Sequence, residues 1–427
     1  MTIELLHQHF KSGLGITTDT RNLKKGAIFF ALKGANFNGN KFAEKALQEG
    51  CVLAVVDEDT GVEDSRIVKV DSVLQTLQNL ANFHRKQFNI PILGITGSNG
   101  KTTTKELVGA VLSKKYNTLI TQGNLNNHLG VPFTLLNLND SHELAIIEMG
   151  ANKPGDIKEL VEIAAPTHGI ITNVGAAHIE GFGSLEGVIK TKTEMYDFIA
   201  NVNGTLFVNV EDDILIGKLP ADISICSYGE HHGDYQGELV NQNPFVQFSW
   251  LTGGYQSKTL STHLVGKYNF TNFLSAIAIG GYFKVPEADI CDAIENYVPS
   301  NNRSQVTKTE RNTLIVDCYN ANATSMMAAL ESFVAMEGER KLVILGDMLE
   351  LGDISIVEHQ KIIQFVEENH LKAFLVGSEM RKAQTDLPQF ENWQALVDSK
   401  NLAALADTIV LLKGSRGIKL EELVPFL

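Results

Sequence analysis

The chain has no run approaching the roughly 18–20 consecutive apolar residues of a helical membrane span. Its start, Met1 to Phe10, lacks a basic stretch followed by an apolar core, so no signal peptide is expected. Cysteine is scarce: Cys51, Cys226, Cys291 and Cys318 lie far apart, with no CxxC pair and no Cys/His cluster. That spacing argues against a disulfide framework or a structural zinc site and for reduced, buried thiols. Basic residues are outnumbered, 36 Lys+Arg against 50 Asp+Glu, for a net charge of −14. Nucleic acids and anionic membranes need a basic face, so both are excluded as general partners. Any anion site must be built locally. Short-period repeats and low-complexity tracts are also missing. The expectation is a soluble protein of the cytoplasm.

What is present is a globular composition, 44% apolar and 20% charged over 427 residues. At about 100–200 residues per domain, that length predicts two to four domains. Residues 1–85 hold short strand-like runs, Ala27–Leu32 and Val52–Asp57, joined by polar turns. The character changes near Asn89-Ile90-Pro91. Strands are then expected at Ile92–Ile95, Leu144–Glu148, Gly169–Val174 and Thr205–Val210. Helices are expected from Thr103 to Lys115, at Gly155–Ala164 and at Leu185–Ile199. Alternation of this kind implies crossover units and a parallel sheet covered on both faces. Residues 211–262 are poorer in signal, with mixed short strands and turns. A second series follows a linker at Val298–Ser304, with strands at Thr313–Asp317, Leu342–Leu345, Ala373–Val376 and Thr408–Leu412. Its helices are expected at Ser325–Met336 and Ile356–Glu368. The predicted organisation is α/β in three domains: 1–85, 86–302 and 303–427.

The sharpest feature is Gly94-Ile95-Thr96-Gly97-Ser98-Asn99-Gly100-Lys101-Thr102-Thr103-Thr104. It follows a strand and opens a helix. Glycines let successive backbone N–H groups turn toward one anion, and the helix N-terminus adds partial positive charge. Lys101 supplies a full charge for the β- and γ-phosphates, and the Thr102 hydroxyl suits Mg²⁺. The chain departs from G-x-x-x-x-G-K-[ST] by carrying Ile95 where that pattern has glycine. Because strand, loop and helix fall in order, the loop implies binding of a nucleoside triphosphate.

Further candidates can serve such a site. Glu148 ends an apolar strand, where ligand crevices of parallel sheets lie, and a carboxylate there suits Mg²⁺. His178 follows the next strand and is either a ligand or structural. Lys190 and Lys192 share one helix, and residue chemistry does not choose between them.

These residues resemble the Mur ligases, ATP-dependent amide ligases of peptidoglycan precursor synthesis. The loop Thr96–Thr103, with Ile95, is similar to theirs. So are Gly123-Asn124-Leu125-Asn126-Asn127, Gly130-Val131-Pro132, Glu148-Met149-Gly150-Ala151 and Asn173–His178. Tyr319-Asn320-Ala321-Asn322, Gly346–Gly352 and Lys413-Gly414-Ser415-Arg416-Gly417 follow in the same order. Asp19-Thr20-Arg21 and Gly26–Gly34 resemble the family's uridine-binding domain. The resemblance covers essentially the whole chain.

It implies a small α/β uridine-binding domain, a central P-loop parallel-sheet ATPase domain and a Rossmann-like C-terminal domain. It implies ATP, two Mg²⁺ ions, a UDP-MurNAc-tripeptide and D-alanyl-D-alanine as ligands, and a monomer. Thr96, Gly97, Ser98, Asn99, Gly100, Lys101, Thr102 and Thr103 would meet the ATP phosphates. Thr102 and Glu148 would position one Mg²⁺, and His178 with a carbamylated Lys192 a second. Lys101, His178 and Lys192 would thus be catalytic. Asn269 and Asn272 match the adenine-side pair, and Arg303, Asp317 and Tyr319 the nucleotide contacts of the C-terminal domain. The family usually has glycine where Asn302 precedes Arg303. Thr20, Arg21 and Lys33 would meet the UDP substrate, and Ser415 and Arg416 the dipeptide's carboxylate. His359 is a candidate general base.

Two other ligases of this kind compete, the enzyme adding the third residue and a folylpolyglutamate synthase. The first is expected to carry Asp-Asn-Pro-Arg, absent here, and the second lacks a uridine-type domain. A P-loop switch protein would need no Glu148, His178 and lysine set.

Overall fold

The computed structural model describes residues 1–427. The chain gathers into two compact units. The first comprises residues 1–94, 117–149 and 158–167. It holds a parallel sheet in the order Ile16–Thr17, Ile28–Phe30, Leu53–Val56, Ile67–Lys69. Ile28, Phe29 and Phe30 are all buried, as expected of a strand covered on both faces. Phe29, Ala54 and Val56 pack with Ala46 and Leu47 of the helix Ala43–Gln48. No helix is expected from the sequence in residues 1–85, and the structure adds Ala43–Gln48 and the longer Ile3–Ser12 and Val73–Arg85. The two longer ones begin at hydroxyl caps, Thr2 and Ser72, each accepting a backbone N–H of the first turn.

A polar seam joins these helices to the rest of the unit. His84 Nε2 lies 2.9 Å from the Leu138 carbonyl, and His84 Nδ1 lies 2.9 Å from His7 Nε2. A carbonyl only accepts, so His84 donates through Nε2 and accepts from His7. The buried Arg85 guanidinium donates to the carbonyls of Ala164, Phe88 and Ala165. In the same unit Thr118–Ile120 pairs in parallel with Leu144–Glu148.

The second unit comprises residues 95–116, 150–157 and 168–427. The strands His168–Ile171, Thr205–Asn209 and Ser224–Gly229 run parallel. The signal-poor stretch 211–262 turns out to extend this sheet. Tyr235–Asn241 pairs with Ser224–Gly229, and Phe245–Thr252 lies antiparallel between Tyr235–Asn241 and Leu260–Val265. Tyr235–Asn241 buries only Gly237, so its sequence carries little alternation to read. The helix Phe270–Tyr282 also escaped notice. It is apolar nearly all round and buried, so it shows no amphipathic stripe.

The C-terminal part is a six-stranded sheet in the order Gln305–Lys308, Thr313–Asp317, Ile409–Lys413, Lys341–Gly346, Lys372–Val376, Gln389–Phe390. All neighbours are parallel except the first pair. Alternate residues feed two cores. Ile315, Val343, Leu345 and Leu411 pack with the helices Ala323–Ala335 and Ser355–Glu368. Leu314, Val316, Leu342, Ile344, Val410 and Leu412 pack with the segment 420–427 and Leu396. This period of two in a sheet covered on both sides is what the doubly wound expectation requires. The last strand, Ile409–Lys413, lies between Thr313–Asp317 and Lys341–Gly346. The strand order therefore reverses there, and the crevice outside those carboxyl ends is where such sheets bind ligands.

His168 is buried against Phe207, Tyr282 and Phe283, and burial pushes its pKa down to about 4. The unfolded chain takes up this proton near pH 6.5 and the folded chain does not. Its contribution is therefore full above about pH 6.5 and is lost as pH falls toward 4. Unfolding measured between pH 7 and 4.5 is expected to show stability falling with pH. His168→Phe should flatten that slope by up to about 1.4 kcal/mol per pH unit. An unchanged slope would remove His168 as its source.

Candidate functional site

The phosphate loop joins the strand Ile92–Thr96 to the helix Lys101–Leu112. Two glycines are obligatory. Gly97 has φ +145°, and a Cβ there would lie 2.0 Å from Thr172 Oγ1. Gly100 has φ +80°, and a Cβ there would lie 2.7 Å from Asn272 Oδ1. The loop is tied to the segment 172–175. Ser98 N–H donates to Asn173 O at 3.0 Å, and Ser98 Oγ donates to Gly175 O while accepting Gly175 N–H. Asn99 N–H donates to Asn173 Oδ1, and Asn99 O accepts from Thr172 Oγ1 and Asn173 Nδ2. Lys101 Nζ reaches back to the carbonyls of Gly97 and Ser98 at 2.6 and 3.1 Å. Its charge therefore sits inside the curl of the loop. Thr96, Thr102 and Thr103 are buried beside it.

The same ties lead to His178. It has left-handed backbone, φ +53°, and opens the short helix Ile179–Phe182. Its Nδ1 pairs with Glu350 Oε2. The helix Leu185–Asn201 separates the two lysines that residue chemistry left open. Lys190 is exposed, whereas Lys192 is buried, with its Nζ 5.6 Å from the Phe182 ring centre. Burial, reinforced by the charge of Lys101, drives the Lys192 ammonium well below its ordinary pKa. Asp156 and Glu194 oppose that shift without cancelling it. Burial of this kind favours the amine, a nucleophile, over the cation.

Asn269 and Asn272 lie at the start of the helix Phe270–Tyr282 and are both buried. Thr104 Oγ1 donates to Asn272 Oδ1, and Asn272 Nδ2 to Asn269 Oδ1. Asn269 Nδ2 donates to Val265 O and to Ser304 Oγ. Tyr268 OH meets the same Ser304 hydroxyl at 2.8 Å. This polar chain leads from the phosphate-loop helix to the linker.

At the linker Asn302 and Ser304 have φ +55° and +50°. Asparagine tolerates the left-handed region, which explains how Asn302 fills a position usually held by glycine. Between them Arg303 stacks its guanidinium 3.8 Å above the Tyr319 ring, and Arg416 approaches the same ring at 5.5 Å. Asp317 accepts from Lys413 Nζ and from Ser304 N–H. Lys413 is buried, so this ion pair fixes the Asp317 carboxylate from below the crevice. Sequence reading gave Lys413 no role.

Ser415 and Arg416 part company. Arg416 is exposed, but Ser415 is buried and its hydroxyl is used internally, donating to Ala321 O and accepting Leu349 N–H. His359 is corrected outright as a free base. It is fully buried, its Nδ1 lies 2.7 Å from Ser355 O, and its Nε2 accepts Met348 N–H. Its lone pair is already committed to the loop 346–352. That loop brings Glu350 to His178, and Asn322 Nδ2 donates to Asn99 Oδ1 at 2.8 Å. Both Glu350 and Asn322 lie in quoted motifs without an assigned role.

In the first unit Glu148 is buried at the end of its strand, and Asn126 Nδ2 donates to its Oε1 at 2.8 Å. Its N–H donates to Thr121 Oγ1. A buried carboxylate presented at a strand end fits a hard divalent cation. Arg21 is exposed and forked onto Asp19. Lys33 is held by Asp57 and Glu58. Next to Thr20 opens a cavity of about 370 Å³, lined by Phe10, Leu14, Thr18, Asp19, Phe133 and Asn137 among others. The contribution of Phe133 could not be read from spacing, since it comes from a distant segment.

Gly97→Ala tests the loop. The collision with Thr172 and the unfavourable φ are expected to lower Tm by the equivalent of about 1–3 kcal/mol. The variant should also lose the thermal stabilisation that a nucleoside triphosphate gives the parent protein. An undiminished ATP-induced Tm shift would contradict this geometry.

Comparison with known proteins bears on the whole chain. Residues 14–92 match the Mur ligase family, catalytic domain; residues 95–280 match the Mur ligase middle domain; residues 302–416 match the Mur ligase, glutamate ligase domain. A UDP-N-acetylmuramoyl-tripeptide–D-alanyl-D-alanine ligase of Bacillus subtilis (strain 168) is 32% identical over 424 residues, covering 96% of this chain and 92% of the relative. The protein of that name from Escherichia coli (strain K12) is 32% identical over 430 residues, with the same coverages of 96% and 92%. A crystal structure of MurF from Acinetobacter baumannii superposes with a TM-score of 0.87 at 30% identity, covering 99% of this chain and 98% of that one. With phosphate loop, strand-end crevice and three matched domains in one order, the chain belongs to the Mur ligase family.

Proposed function

We propose that this protein joins D-alanyl-D-alanine to a UDP-N-acetylmuramoyl-tripeptide, with ATP as the activating substrate, in peptidoglycan precursor synthesis. Its relatives across 96% of the chain are named for that reaction. Lys192 carries the reading beyond nucleotide binding. A P-loop switch has no use for a lysine buried in the helix Leu185–Asn201, where desolvation and the charge of Lys101 disfavour the ammonium.

The reaction begins with repulsion, because a carboxylate must approach a triphosphate. Lys101 and the loop amides offset that charge. An oxygen of the tripeptide's terminal carboxylate attacks the γ-phosphorus in line, and the bond to the β–γ bridging oxygen breaks. ADP and an acyl phosphate result. The dipeptide's neutral amine then attacks the acyl carbon, loses a proton, and phosphate leaves with the carboxylate oxygen. Water would hydrolyse the acyl phosphate, so the C-terminal loops must cover the site first. The bond from Asn322 to Asn99 supports such a cover.

Thr102 and Glu148 would hold one Mg²⁺, and His178 with a carbamylated Lys192 a second; bound there, the ions would offset the phosphate charge. Burial that disfavours the Lys192 ammonium suits carbamylation, in which the amine lone pair bonds to CO₂ and a proton is released; an ammonium has no lone pair to give. Asn269, Asn272, Arg303, Asp317 and Tyr319 frame the nucleotide. Thr20, Arg21 and Lys33 flank the UDP substrate, for which the cavity beside Thr18 and Phe133 gives room. Arg416 faces the dipeptide's carboxylate, and Ser415 holds the loop that carries it. Domain limits at 1–85, 86–302 and 303–427 assign one substrate to each part. The reaction runs in the cytoplasm; no helix of the structure is long and apolar enough to cross a membrane.

Phosphate release should require ATP, the UDP-linked tripeptide and D-alanyl-D-alanine together. Turnover indifferent to the dipeptide would end this reading. Lys192→Ala should lose about 100-fold or more in kcat, and added formate should restore part of it. Equal activity of variant and parent would remove Lys192 from the site.

A further inference from the structure

We propose that Glu350 is a positioning residue for His178: the C-terminal domain supplies the carboxylate that decides which ring nitrogen of His178 faces the reacting centre. This rests on the assignment of His178 to the site.

The two residues belong to different matched domains, His178 to residues 95–280 and Glu350 to residues 302–416. Glu350 Oε2 lies against His178 Nδ1. Both backbones are left-handed, φ +53° at His178 and φ +66° at Glu350. Histidine is among the types that visit that region, but glutamate is not, so the surroundings of Glu350 must impose it. On the His178 side, the preceding segment is bonded to the phosphate loop through Ser98 and Asn99. On the Glu350 side, three buried side chains hold the loop 346–352. The Asp347 carboxylate accepts the N–H groups of Glu379 and Met380. His359 Nε2 accepts Met348 N–H, and Ser415 Oγ accepts Leu349 N–H. Gly352 then passes beside Glu180, in the turn that His178 opens. Two loops, each over-determined by its own domain, thus deliver one contact.

The chemistry of that contact is directional. An ionised carboxylate only accepts, so it keeps the imidazole proton on Nδ1 and leaves the lone pair on Nε2. A histidine that must present a lone pair to a cation is commonly oriented by a carboxylate in this manner. Here the carboxylate comes from the domain that closes. His178 is then correctly oriented only when that domain is in place, and phosphoryl transfer is withheld from an uncovered site.

The test compares His178→Ala, Glu350→Ala and Glu350→Gln in the full chain. Phosphate release with both substrates and thermal stability are measured for each. Glu350→Ala is expected to lower kcat by about 10–100-fold, while the KM for ATP stays within about twofold and Tm is unchanged. Glu350→Gln, whose amide oxygen still accepts from Nδ1–H, should recover most of the rate. ¹⁵N-histidine spectra with a non-hydrolysable ATP analogue should show the Nδ1–H tautomer at His178 in the parent and in Glu350→Gln, and lose it in Glu350→Ala. Full activity of Glu350→Ala beside an inactive His178→Ala would overturn this proposal alone. Equal loss in the Gln and Ala variants would assign a role to charge and overturn positioning. An active His178→Ala would overturn the proposal together with the site assignment beneath it.

Discussion

Asn99 holds the phosphate loop from both sides, and the working geometry depends on it. Its backbone is bonded to Thr172 and Asn173 of the middle domain, and its side chain accepts from Asn322 of the C-terminal domain. The Asn322 side-chain Oδ1 meanwhile accepts Ser325 N–H and caps the helix Ala323–Ala335. One residue of the loop therefore registers the position of a whole domain. A loop meant to cradle phosphates needs its N–H groups turned inward, which leaves its carbonyls to be satisfied elsewhere. Thr172, Asn173 and Lys101 meet that need.

Two buried lysines show how local surroundings decide the fate of a positive charge. Lys413 retains a carboxylate partner in Asp317, and the pair stands at the crevice of the C-terminal sheet. Lys192 is equally buried, but desolvation and the nearby Lys101 charge drive it toward the neutral amine. Burial with a partner gives a fixed support, while burial against a like charge gives a reactive group. The net charge of −14 is compatible with an anion site because these arrangements are local.

The strands flanking the site were legible in the sequence because each is a short apolar run ending in a turn. Leu144–Glu148 and Thr313–Asp317 fall where expected. The phosphate loop was legible because its glycines and lysine have few other uses together. The helix Phe270–Tyr282 was not, since a helix buried on every side has no stripe. The meander 235–265 was legible only as mixed short strands and turns, since Tyr235–Asn241 carries little alternation to fix the pairing. Within the site, the groups that meet ligands were easier to read than their supports. Asp347, Lys413 and Glu350 lie in recognisable motifs but act through residues distant in sequence, so spacing gave them no role. His359 was a candidate base by its type alone, and its burial and two committed nitrogens remove it. Arg303 had a doubtful setting beside Asn302, which the left-handed backbone there resolves.

The central claim is that the tripeptide's carboxylate is activated by phosphoryl transfer at this loop. The most direct measurement uses a UDP-linked tripeptide whose terminal carboxylate carries ¹⁸O in both oxygens, with ATP and D-alanyl-D-alanine. Mass analysis of the released phosphate should find one ¹⁸O per molecule, because the attacking oxygen leaves with phosphorus when the amide forms. Phosphate without ¹⁸O would contradict the account, since the oxygen would then have come from water.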